Sequence, residues 1–228
     1  MPVFGKGRKN RQPVKFTGKE VFLNPETRKR EYAGKQFYRG WRARRARIES
    51  VFPLLFKGQN FIEQRFSETN RPVVVLDWGC GAGTAIAGFA NKYKGKIAAY
   101  GFSKDSDPIW LKRKNVKFIH ATADHLFRYL KDNSVDLIYS NVGLAWLFTP
   151  EVMLDNTVKK MDAGFRYLKK LTQKLSKNGV LAFDLAFSTE FDIRVLKRLF
   201  DNHARDAELT VHNGTVYITK RSNLKPQF

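Results

Sequence analysis

Val73-Val74-Val75-Leu76-Asp77-Trp78-Gly79-Cys80-Gly81-Ala82-Gly83 organises the chain. Val73 to Leu76 is a β-branched run with no polar break, the pattern of a short strand buried on both faces of a parallel sheet. Asp77 ends the run. Gly79, Gly81 and Gly83 then alternate with Trp78, Cys80 and Ala82, and Thr84 to Tyr93 is compatible with a helix. Strand, glycine turn and helix together bring backbone N–H groups and a helix N-terminus close to a ligand. The acid at the strand tip can engage a cationic or hydroxyl-bearing part of that ligand. The dinucleotide fingerprint is excluded, because its last two glycines are separated by two residues rather than one.

Working outward, Lys96–Phe102 reads as a second strand and Val116–His120 as a third. Asp132–Asn141 is a turn leading into a fourth, and Val180–Phe187 is a fifth. Asp155–Leu175 has helical spacing, with Val158, Met161, Phe165, Leu168 and Leu171/Leu175 on one face. Lys177-Asn178-Gly179 supplies the left-handed signal that ends it. Thr189–Phe200 is a further helix with Phe191, Val195, Leu196 and Leu199 inward. Leu209–Val211 and Thr215–Thr219 flank His212-Asn213-Gly214, and Asn-Gly between two strands is a strong hairpin signal. Strands alternating with helices and followed by a hairpin predict an α/β fold with a mostly parallel sheet.

The stretch from Val73 to Gly83 resembles motif I of the class I S-adenosylmethionine-dependent methyltransferases: strand, acid, x, Gly, x, Gly, x, Gly. The resemblance covers about residues 70–220. It implies a seven-stranded Rossmann-like sheet with an antiparallel last hairpin, and S-adenosyl-L-methionine as cofactor. By the same resemblance, Asp77, Gly79, Cys80, Gly81 and Gly83 hold the methionine end. The family's second strand ends in an acid that binds both ribose hydroxyls; here Gly101-Phe102-Ser103 puts Ser103 there. A hydroxyl cannot replace a bidentate carboxylate, and Asp105 and Asp107 stand nearby. At the adenine position the chain reads Ala121-Thr122-Ala123-Asp124. Thr122, Ala123 and Asp124 are the candidates, although Asp124 also suits a helix first turn on dipole grounds. Ser140-Asn141-x-x-Leu144-x-Trp146-Leu147 is similar to the motif IV region of small-molecule carboxyl methyltransferases, and more loosely to that of ribosomal-RNA guanine-N7 enzymes. By analogy Ser140 borders the cofactor and Asn141 positions the acceptor.

Charge is the unusual feature. The chain of 228 residues carries 42 Lys+Arg against 21 Asp+Glu, a net charge of +21. Residues 1–50 hold 15 of those basic residues and only 4 of the acidic ones, so the first fifth of the chain carries half the excess. Such asymmetry points to a polyanion, most often nucleic acid. Residues 1–34 read as a basic, extended arm containing Arg8, Lys9 and Arg11, broken by Pro and Gly. Residues 35–70 read as an N-terminal helical extension. In it, Gln36–Phe52 is expected to be a helix with Phe37, Trp41, Ile48, Phe52 and Leu55 as its apolar stripe, while Arg39, Arg42 and Arg45 lie off that stripe and join Arg8, Lys9 and Arg11 as candidate nucleic-acid contacts. Pro53 breaks it, and a short helix is expected over Phe56–Phe66. By the family resemblance, residues 71–228 are expected to form the methyltransferase domain.

Several chemistries are disfavoured. Cys80 is the single cysteine, which precludes an internal disulfide and fits a reducing compartment. The expected location is cytoplasmic, with a mitochondrial one as the alternative. The four histidines include no i, i+4 pair, so no metal site is expected. No apolar run approaches the roughly 20 residues needed to span a bilayer, and no signal peptide pattern is seen. Pyrimidine C5 methylation needs a cysteine nucleophile, and Cys80 belongs to the glycine motif. The Asn/Asp-Pro-Pro-aromatic motif that holds planar amines is missing. The leading expectation is a methyltransferase acting on RNA, ribosomal or precursor, with RNA or a ribonucleoprotein as partner. Two alternatives stay open: a non-catalytic RNA-binding or ribosome-assembly factor with this fold, and a small-molecule or carboxyl methyltransferase with a basic tail.

Overall fold

The computed structural model describes residues 48–58, 60–141, 143–144, 157–184, 190–204 and 206–221. The strands are β1 (Val73–Trp78), β2 (Ile97–Ser103), β3 (Lys117–His120), β4 (Val135–Ser140), β5 (Leu175–Asp184), β6 (Ala207–His212) and β7 (Thr215–Lys220). The described helices are α1 (Ile48–Val51), α2 (Phe61–Thr69), α3 (Thr84–Lys92), α4 (Ala123–Leu126), α5 (Thr157–Lys174) and α6 (Glu190–His203). Short 3-10 turns cover Pro53–Leu55 and Pro108–Lys112. The seven strands form one sheet in the order β3-β2-β1-β4-β5-β7-β6. The first five are parallel, while β7 is antiparallel to both β5 and β6. The expected architecture is therefore the observed one.

The hydrophobic run at Val73 sits at the sheet centre because both faces are covered. Val74 and Leu76 join a core with Phe102, Ile138, Phe165, Leu168, Leu171, Leu196 and Phe200. Val73 and Val75 join the opposite core with Leu137, Ile86 and Phe89. Ile48, Phe52, Leu55 and Ile62 lie in that second core, so residues 48–70 pack directly on the sheet. Each such side chain, fully buried, contributes about 1.5–3 kcal/mol. Hydrogen-bonded ion pairs from Lys92 to Glu49 (2.7 Å) and from Lys96 to Glu63 (2.5 Å) fasten the same segment at its exposed rim.

Several element boundaries differ from the sequence expectation. Strand β1 runs through Asp77 to Trp78, because both residues pair with β2. The helix expected over Phe56–Phe66 begins at Phe61, where Asn60 accepts hydrogen bonds from the Ile62 and Glu63 N–H groups. Asn followed three residues later by Glu is a capping signature that marks this start. Helix α5 ends at Lys174, and Leu175 pairs at once with Val135. Asn178, at φ 58°, therefore forms an irregularity inside β5 rather than a helix cap. Gly179 is required there, since a Cβ would lie 2.9 Å from the Ser176 carbonyl and 3.0 Å from that of Val135. Finally, α6 runs on to His203. The hairpin stands as expected: Asn213 (φ 48°) and Gly214 (φ 73°) both adopt the positive φ of a type I′ turn.

The arm over residues 1–34, the arginines 39, 42 and 45, and Trp146 lie outside the described residues. No described helix is long and apolar enough to cross a membrane.

Candidate active site

Strand order reverses at β1: the chain proceeds outward through β2 and β3, then returns to place β4 on the other side of β1. In open α/β sheets, ligands bind beyond the carboxyl ends of the strands at such a switch point. The expected site residues collect there. Gly79, Gly81 and Gly83 follow β1, Ser103 ends β2, Thr122 to Asp124 follow β3, and Ser140 and Asn141 close β4. A Cβ on Gly79 would be 3.6 Å from the Gly143 Cα, so the loops after β1 and β4 touch.

Asp77 lies opposite Gly101 on β2 and Tyr139 on β4. Its side chain is buried, and loss of water pushes its carboxyl up to about 7. The Tyr139 hydroxyl, buried beside it, partly offsets that rise but completes no hydrogen bond of normal geometry. Phe52 packs on the Tyr139 ring at 5.8 Å between centroids. The chain following the Arg-rich stretch thus enters the fold against the partner of Asp77. A buried carboxyl with no cation beside it among the described residues is suited to receive one.

The glycine loop is held from inside. The N–H groups of Gly79 and Cys80 both donate to the Phe102 carbonyl (2.8 and 2.9 Å), and that of Gly83 donates to Cys80 (2.8 Å). All three glycines have positive φ: 81°, 52° and 69°. Gly83 starts α3 with no side-chain cap, which leaves the first helical N–H groups for a ligand. Gly83 also meets Phe118, whose ring a Cβ would approach to 2.5 Å. Gly83→Ala therefore combines backbone strain with displacement of Phe118, and a loss of cofactor affinity of tenfold or more is expected on calorimetric titration. Burial pushes the Cys80 thiol far up and the charge of Asp77 adds to it, so the thiol is no nucleophile.

Ser103 is buried, and its Oγ accepts the Asp105 N–H (3.2 Å), which sets Asp105 at the exposed rim beyond β2. Asp107 is committed elsewhere: it caps the 3-10 turn by accepting the Ile109 N–H (3.0 Å). Thr122 is the exposed N-cap residue of α4, with Asp124 exposed in its first turn. Ser140 is fully buried and its Oγ accepts the Leu144 N–H (2.9 Å), shaping the loop that carries Asn141. On the other side of the loop, the Trp78 indole donates to the Tyr167 hydroxyl (2.9 Å), which donates to the Ala123 carbonyl (3.3 Å). This chain joins β1, α4 and α5 across the edge of the site.

Trp110, Arg113, Tyr139 and Tyr167 are site-shaping residues that motif spacing did not single out. Asp107-Pro108 is a helix-start signature that marks the turn carrying Trp110. No such signal exists for Tyr139 or Tyr167, whose roles arise from register and tertiary packing.

Residues 76–183 match the family described as "Methyltransferase domain". A malonyl-[acyl-carrier protein] O-methyltransferase from Bacillus cereus is 28% identical over 125 residues, covering 54% of this chain and 41% of that protein. The match thus spans less than half of the relative's length. Among solved structures, the plantazolicin methyltransferase BpumL, in complex with a monoazolic desmethylPZN analog and SAH, has a TM-score of 0.54. It is 11% identical, over 86% of this chain and 93% of BpumL. WbdD, crystallised with a kinase inhibitor, has a TM-score of 0.52 at 13% identity, over 81% of this chain and 44% of WbdD. At these identities the solved structures share the fold. The domain match over residues 76–183, just under half of the chain, and the shared fold support a class I S-adenosylmethionine-dependent methyltransferase family.

Proposed function

We propose that this protein methylates RNA, ribosomal or precursor, with S-adenosyl-L-methionine as methyl donor. The observation that carries the RNA assignment is the charge: +21 overall, with half of the excess in residues 1–50. Polyanions are the partners such a surface attracts. The segment following that basic stretch packs beside Asp77 through Phe52 and Tyr139, which favours delivery of a bound strand to the site.

The buried Asp77, which has no cationic partner among the described residues, and the uncapped start of α3 fit the methionine end of the cofactor. When bound, S-adenosylmethionine supplies an electrophilic methyl group on a sulfonium centre. Asp77 accepts its ammonium group, with Gly79, Cys80, Gly81 and Gly83 as the surrounding backbone. Ser103 acts through Asp105, which supplies the carboxylate for the ribose hydroxyls. Thr122, Ala123 and Asp124 border the adenine, and Ser140 supports the loop from which Asn141 orients the acceptor. Transfer from a sulfonium is an in-line displacement, so positioning rather than acid–base chemistry carries most of the rate.

Residues 1–34 contain nine Lys and Arg. With about six of them on phosphates, affinity for single-stranded RNA falls about a hundredfold or more between 50 and 200 mM salt. Deleting residues 1–34 removes that salt dependence and RNA methylation while leaving cofactor affinity intact. A second reading, a carboxyl methyltransferase with an unrelated basic tail, is favoured by the O-methyltransferase relative. Under that reading the deletion leaves activity unchanged on a carboxylate acceptor, and RNA is no substrate.

A further inference from the structure

The three positive-φ glycines of the loop after β1 are the part of the site with the greatest backbone freedom. A segment outside the motif restrains them. The 3-10 turn Pro108–Lys112 is capped by Asp107, and Arg113 follows it as the C-cap residue. In a 3-10 turn, side chains three residues apart lie on one face, which aligns Trp110 with Arg113. Both reach the glycine loop. The Trp110 indole N–H donates to the Gly81 carbonyl at 2.8 Å. The Arg113 guanidinium donates from Nε to the Ala82 carbonyl and from Nη2 to the Thr84 hydroxyl, each at 3.0 Å. Three of the four residues from Gly81 to Thr84 are thereby held from one side.

The latch is itself anchored. The Trp110 ring stacks on Phe118 at 4.6 Å with 5° between planes. Phe118 fits because Gly83 and Gly101 have no side chain: a Cβ at either would lie 2.5 or 2.7 Å from its ring. A peptide unit is planar and trans, so its carbonyl and its N–H point in opposite directions. A Gly81 carbonyl held by Trp110 therefore turns the Ala82 N–H away from the latch.

We propose that Trp110 and Arg113 are positioning residues for the cofactor. They act through the glycine loop by holding it in the ligand-ready shape before binding. This inference rests on the cofactor assignment above. Ordering a loop in advance raises affinity because its entropy is not lost at the binding step.

The test uses the full-length chain and calorimetric titration with S-adenosylmethionine and S-adenosylhomocysteine. Trp110→Phe keeps a ring for Phe118 but deletes the indole N–H; Arg113→Met deletes the other two bonds. Each variant is expected to weaken both ligands about tenfold at a temperature where circular dichroism shows it fully folded. Their double variant should fall short of the product, because both act on one loop. Arg113→Lys should restore part of the loss, and RNA affinity should stay at the wild-type value in all of them. A residue with only a structural role would lower the melting temperature and leave these dissociation constants unchanged. Folded Trp110→Phe and Arg113→Met proteins that bind both ligands as wild type does would overturn the latch while leaving the cofactor assignment standing. A wild-type protein that binds neither ligand would instead refute the cofactor assignment, and the latch with it.

Discussion

Asp136→Asn is expected to lower stability by about 3–5 kcal/mol, the cost of leaving a buried charge without its partner. Asp136 sits at the start of β4 and is 1% exposed. Its carboxylate accepts from Arg65 Nη2 (3.0 Å), Arg71 Nη1 and Nη2 (2.8 and 3.0 Å), Ser176 Oγ (2.6 Å) and the Val74 N–H (2.9 Å). One side chain thus joins α2, β1, β4 and β5. The amide leaves Arg65, itself 8% exposed, without an anion at its Nη2 end. Arg71, whose side chain is 42% exposed, can return to water, so Arg71→Ala should cost less. The expected fall in melting temperature for Asp136→Asn is about 10 °C, at roughly 2–4 °C per kcal/mol for a domain of this size. Acid titration gives a second readout. Burial alone would raise the Asp136 carboxyl, but the bonds from Arg71, Ser176, Val74 and Arg65 outweigh it and hold the group below the ordinary aspartate range. Its stabilisation is therefore full above the unfolded value of about 4 and is lost as pH falls through the folded value. Chemical denaturation at stepped pH should show that loss in the wild type and none of it in Asp136→Asn.

Asp77→Asn should move stability and binding in opposite directions. Burial raises the Asp77 carboxyl to about 7. A raised acid has the reverse sign: folding is unpenalised below the unfolded value of about 4 and is progressively opposed as pH rises toward 7. Without cofactor, Asp77→Asn should therefore melt several degrees higher than wild type at pH 8, with the difference closing near pH 4. Its affinity for S-adenosylmethionine should fall at least tenfold, because the ionised carboxylate is the partner for the ligand's ammonium group. Equal melting temperatures at pH 8 would contradict the assigned environment of Asp77.

What was legible in the sequence was what repeats locally. The run Val73–Leu76, the alternating glycines and Asn213-Gly214 each carry a spacing that one backbone geometry explains, and each formed where expected. Boundaries decided by pairing across the sheet were not legible. Leu175 could extend a helical stripe, yet it pairs with Val135, and only β4 decides between the two. The start of α2 was written in Asn60 and Glu63 but lay behind the stronger break signal of Pro53. The Trp110–Gly81 and Arg113–Ala82 bonds span 29 and 31 residues and join side chains to carbonyls, so no periodicity records them. Ser103 shows the same limit: its departure from a carboxylate was visible, but its grip on the Asp105 N–H was not.

The most direct test of the account is calorimetric titration of the full-length protein with S-adenosylmethionine, alongside Asp77→Ala. Micromolar binding to the wild type, lost in the variant, is the predicted result, and it would make the RNA acceptor the next quantity to measure. No binding to the wild type up to millimolar cofactor would contradict the account and leave a non-catalytic fold, or one completed by a partner.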